Sequence, residues 1–171
     1  MQTFLPSSNI SYTAKSLDNK RLNKQILEGY QILKVLSGES ISGAWRNHPA
    51  VLMWKGYETG LWSYIQHMIE EAKVRGIKTI NNENNLNDLK AKCSGRWGKT
   101  PPSFWLNDNK VMRITTTHKA NLFKKDPIYY IKYQYAESSP YNVPCCPERK
   151  VPCQYYWPTH EERNELLDAV L

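Results

Sequence analysis

No stretch of this 171-residue sequence is apolar for more than a few residues, so a membrane-spanning helix has no place to form. The opening MQTFLPSSNISY lacks a basic run followed by an apolar one, and a secretory leader is not expected. Cysteine is sparse, at Cys93, Cys145, Cys146 and Cys153, which excludes a small disulfide scaffold. Histidine is sparse too: His48, His67, His118 and His160. There is no Walker loop, no G-x-G-x-x-G, no H-E-x-x-H and no G-x-S-x-G. The common phosphate-loop, dinucleotide, zinc-protease and serine-hydrolase chemistries therefore have no footing. Internal repeats and strand-like alternation are absent as well.

What is present is ordinary globular usage, with 40% apolar, 23% charged and 12% aromatic residues, enough for one domain with a core. The charge is unevenly placed. Residues 1–80 carry 10 Lys+Arg against 6 Asp+Glu, residues 81–136 carry 10 against 4, and residues 137–171 carry 3 against 6. The body is thus +10 and the tail −3, which gives the net +7. A basic body with a pI near 9.2 fits a surface for a polyanion, and nucleic acid is the expected one. Solubility charge alone is the plainer explanation.

Three of the cysteines crowd into VPCCPERKVPC. Cys145, Cys146, Cys153 and His160 are the candidates for a zinc set, but an adjacent pair is awkward for tetrahedral ligation. They are read as thiols without a metal, and no cofactor is expected.

Periodicity predicts a mainly α fold of three main helices with long loops. The first helix covers 11–36, with Leu22, Ile26, Tyr30 and Leu33 on its core side and Gly38 as its stop. The second runs from Pro49 to Arg75, burying Trp54, Tyr57, Leu61, Tyr64, Ile65, Met68 and Ala72 and tolerating Gly56 and Gly60 inside it. The third covers 115–125. A shorter one is expected near 84–92, and a last one opens at Thr159, with Glu162 at capping-box spacing. The domain is expected to span 1–158, with 159–171 an acidic helix packed on it.

On the first helix, Arg21, Lys24, Gln25 and Glu28 recur at helical spacing. For such a pattern alone, a solvated face with a Lys24–Glu28 pair is the favoured explanation. An amine and a carboxylate suffice for metal-free cleavage at a sugar carbon. The amine forms the Schiff base and the carboxylate moves the protons. An α-amine ordinarily titrates near about 7.7–8.0, so part of it is neutral at physiological pH, unlike lysine. The segment YYIKYQY at 129–135 interleaves Tyr with Lys132, which suits bases and phosphates or, alternatively, a tyrosine-rich core. His67 is read as structural.

The strings MQTFLP (1–6), SLDNKRLNKQILEGYQIL (16–33), WRNHPAVLMWKGYE (45–58), THKANLFKKDPIYY (117–130) and YYWP (155–158) resemble the pyrimidine-dimer DNA glycosylase family of the phage endonuclease V type. The resemblance is to the branch that begins M-x-T-F-L-P. It implies a helical fold, cleavage of the glycosidic bond at cyclobutane pyrimidine dimers, and strand scission by β-elimination. It implies the chain's N-terminal amine as nucleophile, here on Met1, and a helix-borne glutamate as acid and base, here Glu28. Gln2 is large, so removal of Met1 is not expected, and the family's small second residue is not matched.

The resemblance further implies duplex DNA containing damaged bases as the partner. The expected contacts in the first half of the chain are Gln2, Arg21, Lys24, Gln25, Arg46, Asn47 and His48. Those in the second half are His118, Lys119, Lys124, Lys125, Tyr129, Tyr130, Lys132 and Tyr133. A monomer in the cytoplasm of a bacterial or phage-infected cell is expected. The family's arginines beside the glutamate are missing, since Leu27 precedes Glu28 and Gln31 follows. Another altered base, a non-catalytic DNA-binding module and a zinc-stabilised accessory protein are the competing readings.

Overall fold

A computed structural model describes residues 1–145, 153–162 and 169. The chain is mainly α, and no strand occurs among the described residues. The helices are α1 (Ile10–Ser16), α2 (Asn19–Leu36), α3 (Pro49–Leu52), α4 (Glu58–Val74), α5 (Ile80–Cys93) and α6 (Asp108–Lys125). Short 3-10 turns cover Ser94–Arg96, Ser103–Leu106 and Ile131–Ser138. The contacts divide the chain into two compact units. One holds Met1–Phe4 and Asn9–Pro102, the other Leu5–Ser8 and Ser103–Leu171.

In the first unit the helix expected over 11–36 is two helices. Asn9 caps α1 by accepting from the Tyr12 N–H, and Asp18 caps α2 by accepting from the Arg21 N–H. Leu17 between them is extended. Arg75, at the end of α4, donates to the carbonyls of Ala14, Lys15 and Leu17. It satisfies the carbonyls that α1 leaves open. Helix α2 ends as its glycine predicts: Gly38 takes φ 78°, its N–H meets the Val35 carbonyl, and Glu39 N–H meets that of Lys34.

The second expected helix also breaks. Gly56 takes φ 79° between α3 and α4, where the Glu58 carboxylate accepts the N–H groups of Gly56 and Gly98. Leu22, Ile26 and Leu33 of α2 and Leu61, Tyr64, Ile65, Met68 and Ala72 of α4 are buried as expected, while Tyr30 and Tyr57 are half-buried. At Gly29 a Cβ would sit 2.6 Å from Ile65 Cγ1, so only glycine lets α2 approach α4 this closely.

In the second unit, α6 begins seven residues before Thr115. Asn107 caps it by accepting from the Lys110 N–H. The three threonines at 115–117 have modest helix propensity but are buried, and tertiary packing overrides propensity there. YYIKYQY is largely 3-10 turn. Pro158–Glu162 are helical, residue 169 is in a turn, and the other residues of the expected C-terminal helix lie outside the described residues. No described helix is long and apolar enough to cross a membrane.

Candidate active site

The first four residues of the chain are laced to the first unit by side chains. The Gln2 backbone N–H donates to Glu28 Oε2 at 3.2 Å. Trp54 Nε1 donates to Thr3 Oγ1 at 3.0 Å. The Phe4 N–H donates to Gln25 Oε1 at 2.8 Å. The Tyr64 hydroxyl lies 2.8 Å from the Phe4 carbonyl and 2.9 Å from Gln25 Oε1, directing its one proton between them. Burial raises the Tyr64 phenol well above its ordinary range, and the Glu28 charge adds to this, so the hydroxyl keeps its proton. A chain terminus normally frays. Here buried polar groups from two helices hold it in one place.

The same lacing brings Met1 and Glu28 to one cleft. Its volume is about 410 Å³, and Gln31, Lys34, Val35, Ser40 and Trp45 complete its lining. That volume is in the range of small-ligand pockets. Glu28 is 9% exposed. Besides the Gln2 N–H, its carboxylate meets Lys24 Nζ at 3.6 Å and, more weakly, Gln25 Nε2 at 3.5 Å. The cleft thus combines a held carboxylate, a chain terminus, Lys34 of α2, and Trp45, which is 45% exposed. That set can accept an anionic substrate with a planar group, binding phosphate by cation and base by stacking.

The structure brings Met1, Glu28 and Lys24 together and moves several other expected contacts inside. Gln25 is fully buried and serves the N-terminal lacing rather than a ligand. Gln2 is buried, with its side-chain Oε1 accepting from the Thr3 N–H. Arg21 is half-buried and paired with Asp18 at 3.1 Å, because Asp18 is needed as the cap of α2. His48 caps a helix: its Nδ1 accepts from the Ala50 N–H at the start of α3, and its ring meets Trp45 edge-on at 5.4 Å. Arg46 and Asn47 are exposed beside it.

In the second unit, His118 is fully buried, accepting the Leu5 N–H at 2.8 Å on Nδ1. Burial lowers its pKa to about 3, so the ring is neutral. Tyr130 and Tyr133 are buried and stack on each other at 6.0 Å. These three belong to the core because aromatic area is worth most there. Lys124, Lys125, Tyr129 and Lys132 stay exposed, and Lys119 is half-buried with its ammonium 5.8 Å from the Tyr133 ring. Lys124 lies 3.8 Å from Glu137.

Sequence reasoning missed Lys34, Ser40 and Trp45 and noted Gln31 only as a departure. Glu28, Gln31 and Val35 sit at i, i+3 and i+7, so the α2 part of the lining was present as a stripe. Ser40 and Trp45 arrive by the course of a loop, which no spacing encodes. Among the described residues the one group of three metal-capable side chains is Cys145, Cys153 and His160, in the second unit.

The family described as pyrimidine dimer DNA glycosylase matches residues 1–85. That stretch contains Met1, Glu28 and the whole lining of the cleft. No curated protein and no solved structure matches the chain.

Proposed function

We propose, from the match of residues 1–85 to the pyrimidine dimer DNA glycosylase family, that the chain is a member of it, excises pyrimidine dimers through an amine at the chain start and then cleaves the strand. The observation that carries this reading is the shared cleft of Met1 and Glu28, with the backbone beside the amine bonded to the carboxylate.

The neutral Met1 amine attacks C1′ of the damaged nucleotide. The new C–N bond forms as the glycosidic bond breaks, and the departing base takes a proton. The sugar ring opens to an iminium. Glu28 stabilises that cation, then removes a proton from C2′, and the 3′ phosphate leaves by β-elimination. Lys24, Lys34 and Arg46 bind the phosphates near this cleft, and Trp45 stacks on a base exposed by the lesion. Lys124, Lys125, Tyr129 and Lys132 supply contacts on the second unit.

The test is borohydride trapping on a duplex with one thymine dimer. A reduced covalent adduct on the N-terminal peptide is expected. An adduct with an abasic site but none with the dimer would keep the lyase chemistry and reassign the base. An adduct with neither overturns the enzyme reading in favour of a DNA-binding module.

One further placement of the nucleophile has an observation behind it. It is the Gln2 nitrogen, rather than that of Met1, that lies 3.2 Å from the carboxylate. If Met1 is removed, that nitrogen becomes the amine. Sequencing of the trapped peptide separates the two.

A further inference from the structure

Cys145, Cys153 and His160 are brought together from three separate places: the end of the segment after Tyr141, the extended stretch before Tyr155, and the helical turn at 158–162. One donor atom from each lies within 4.8 Å of the others. Cys145 Sγ is 3.7 Å from His160 Nδ1, and Cys153 Sγ is 3.8 Å from the same nitrogen. Two sulfurs converge on one ring nitrogen, whose single in-plane position serves only one hydrogen bond well. A tetrahedral zinc ion with Zn–S of about 2.3 Å and Zn–N of about 2.05 Å has S···N edges of about 3.6 Å and an S···S edge of about 3.8 Å. The two S···N distances therefore match the S···N edges of a zinc polyhedron. Cys145 is buried while Cys153 and His160 are half-buried, which shelters the sulfurs and leaves a path for an ion.

We infer that Cys145, Cys153 and His160 form a structural site for a soft divalent cation, zinc first. On binding, both thiols release their protons and the histidine presents a neutral Nδ1. The spacing that argued against zinc in the sequence was that of the adjacent pair Cys145–Cys146. The fold brings Cys153 to Cys145, and Cys146 lies outside the described residues. The ion closes the C-terminal segment on itself, and that segment meets α6 through the residues between its ligands. Between the ligands run Tyr155, Tyr156 and Trp157. Tyr155 and Trp157 flank the His118 ring at 5.2 and 6.4 Å, and the Tyr156 N–H donates to Thr117 Oγ1. His118 in turn holds the Leu5 N–H. The site is a clamp within the second unit, independent of whether Glu28 is catalytic.

The test uses the full chain purified without chelator. Elemental analysis should give about one zinc per chain, held by two thiolates and an imidazole with water in the fourth position. Cobalt exchanged for the zinc should show thiolate charge-transfer absorption and the strong visible bands of tetrahedral coordination. Cys153→Ser and His160→Ala should each weaken zinc binding at least tenfold and lower the melting temperature, whereas Cys93→Ser should leave the zinc in place. The cobalt spectrum of the unaltered chain decides the matter even if a variant misfolds. Wild-type protein that takes up no zinc or cobalt, with Cys145 and Cys153 freely alkylated, overturns the site. So does an intact mass lower by two hydrogens from a Cys145–Cys153 disulfide.

Discussion

The Gln2 backbone N–H and the Glu28 carboxylate meet at 3.2 Å, across 26 residues of sequence, and so the chain start is fixed against the one buried carboxylate of α2. Glu28→Gln keeps an acceptor for that N–H and removes only the charge and the proton-transfer capacity. Strand cleavage should fall by about 10²–10⁴-fold, the usual weight of a general acid–base group. DNA affinity and melting temperature should stay close to wild type. Cleavage of a dimer-containing duplex at the wild-type rate by E28Q would remove Glu28 from the mechanism.

Gln25 is the next test, because burial moved it from ligand contact to support. Gln25→Leu leaves the Phe4 N–H without its acceptor in a dry interior, at a cost of about 1–3 kcal/mol. The N-terminal segment loses its register, so turnover should drop while DNA affinity holds. A matched fall in affinity would mean that Gln25 touches DNA after all. The readouts are single-turnover cleavage and anisotropy on the same oligonucleotide.

Much of this was legible in the sequence. The apolar stripes of α2 and α4 follow helical spacing, and Gly38 ends α2 where a C-terminal glycine should. Glu28 stood out as the lone carboxylate among cations. The breaks at Leu17 and Gly56 were not read, because Asp18 serves as both cap and ion-pair partner and a glycine inside a periodic stretch is compatible with a helix. Gln25 and His118 are buried for one shared reason. Each accepts a backbone N–H far away in sequence, from Phe4 and Leu5, and spacing along one helix carries no record of that. Trp45 belongs to the cleft through the path of a loop, which depends on the whole of the first unit.

Cation partners separate Arg21 from Lys34. Arg21 is held by Asp18, whereas Lys34 lines the cleft. Lys34→Ala should flatten the dependence of log K on log salt by about 0.9 if it contacts one phosphate. Arg21→Ala should change that slope little. Trp45→Ala should weaken binding to a lesion duplex by about 1–3 kcal/mol, the usual cost of a lost stacking platform. Anisotropy across a salt series on intact and dimer-containing duplexes measures all three. Equal slopes for R21A and K34A would place the phosphate elsewhere.

His118 makes stability depend on acid. Burial lowers its pKa from 6.5 to about 3. Between those values the unfolded chain holds a proton that the folded chain excludes, since Nδ1 accepts the Leu5 N–H. The contribution is therefore fully present above pH 6.5 and is lost as the pH falls toward 3. The tilt is about 1.4 kcal/mol per pH unit inside that window. His118→Asn keeps an acceptor near the position of Nδ1 and cannot take up the proton. Its denaturation midpoint, followed from pH 7 to 4, should fall less steeply than that of the wild type. Parallel curves would show that another group carries the acid sensitivity.

Gly29 tests whether the closeness of α2 and α4 matters to the carboxylate on the adjoining residue. Alanine favours a helix over glycine by about 1 kcal/mol. Its Cβ would nevertheless sit 2.6 Å from Cγ1 and 3.1 Å from Cδ1 of Ile65, a fully buried side chain. Overpacking of that kind costs about 1–3 kcal/mol, so Gly29→Ala should lower stability despite its better propensity. Relief comes by separating the helices, which draws Glu28 away from the Gln2 N–H, so cleavage should fall along with stability. Ile65→Ala removes both atoms in the way. The double variant should therefore be more stable than the two single losses sum to, and should recover part of the cleavage lost in Gly29→Ala. Additive stabilities with no recovery would show that the close approach at Gly29 does not position Glu28.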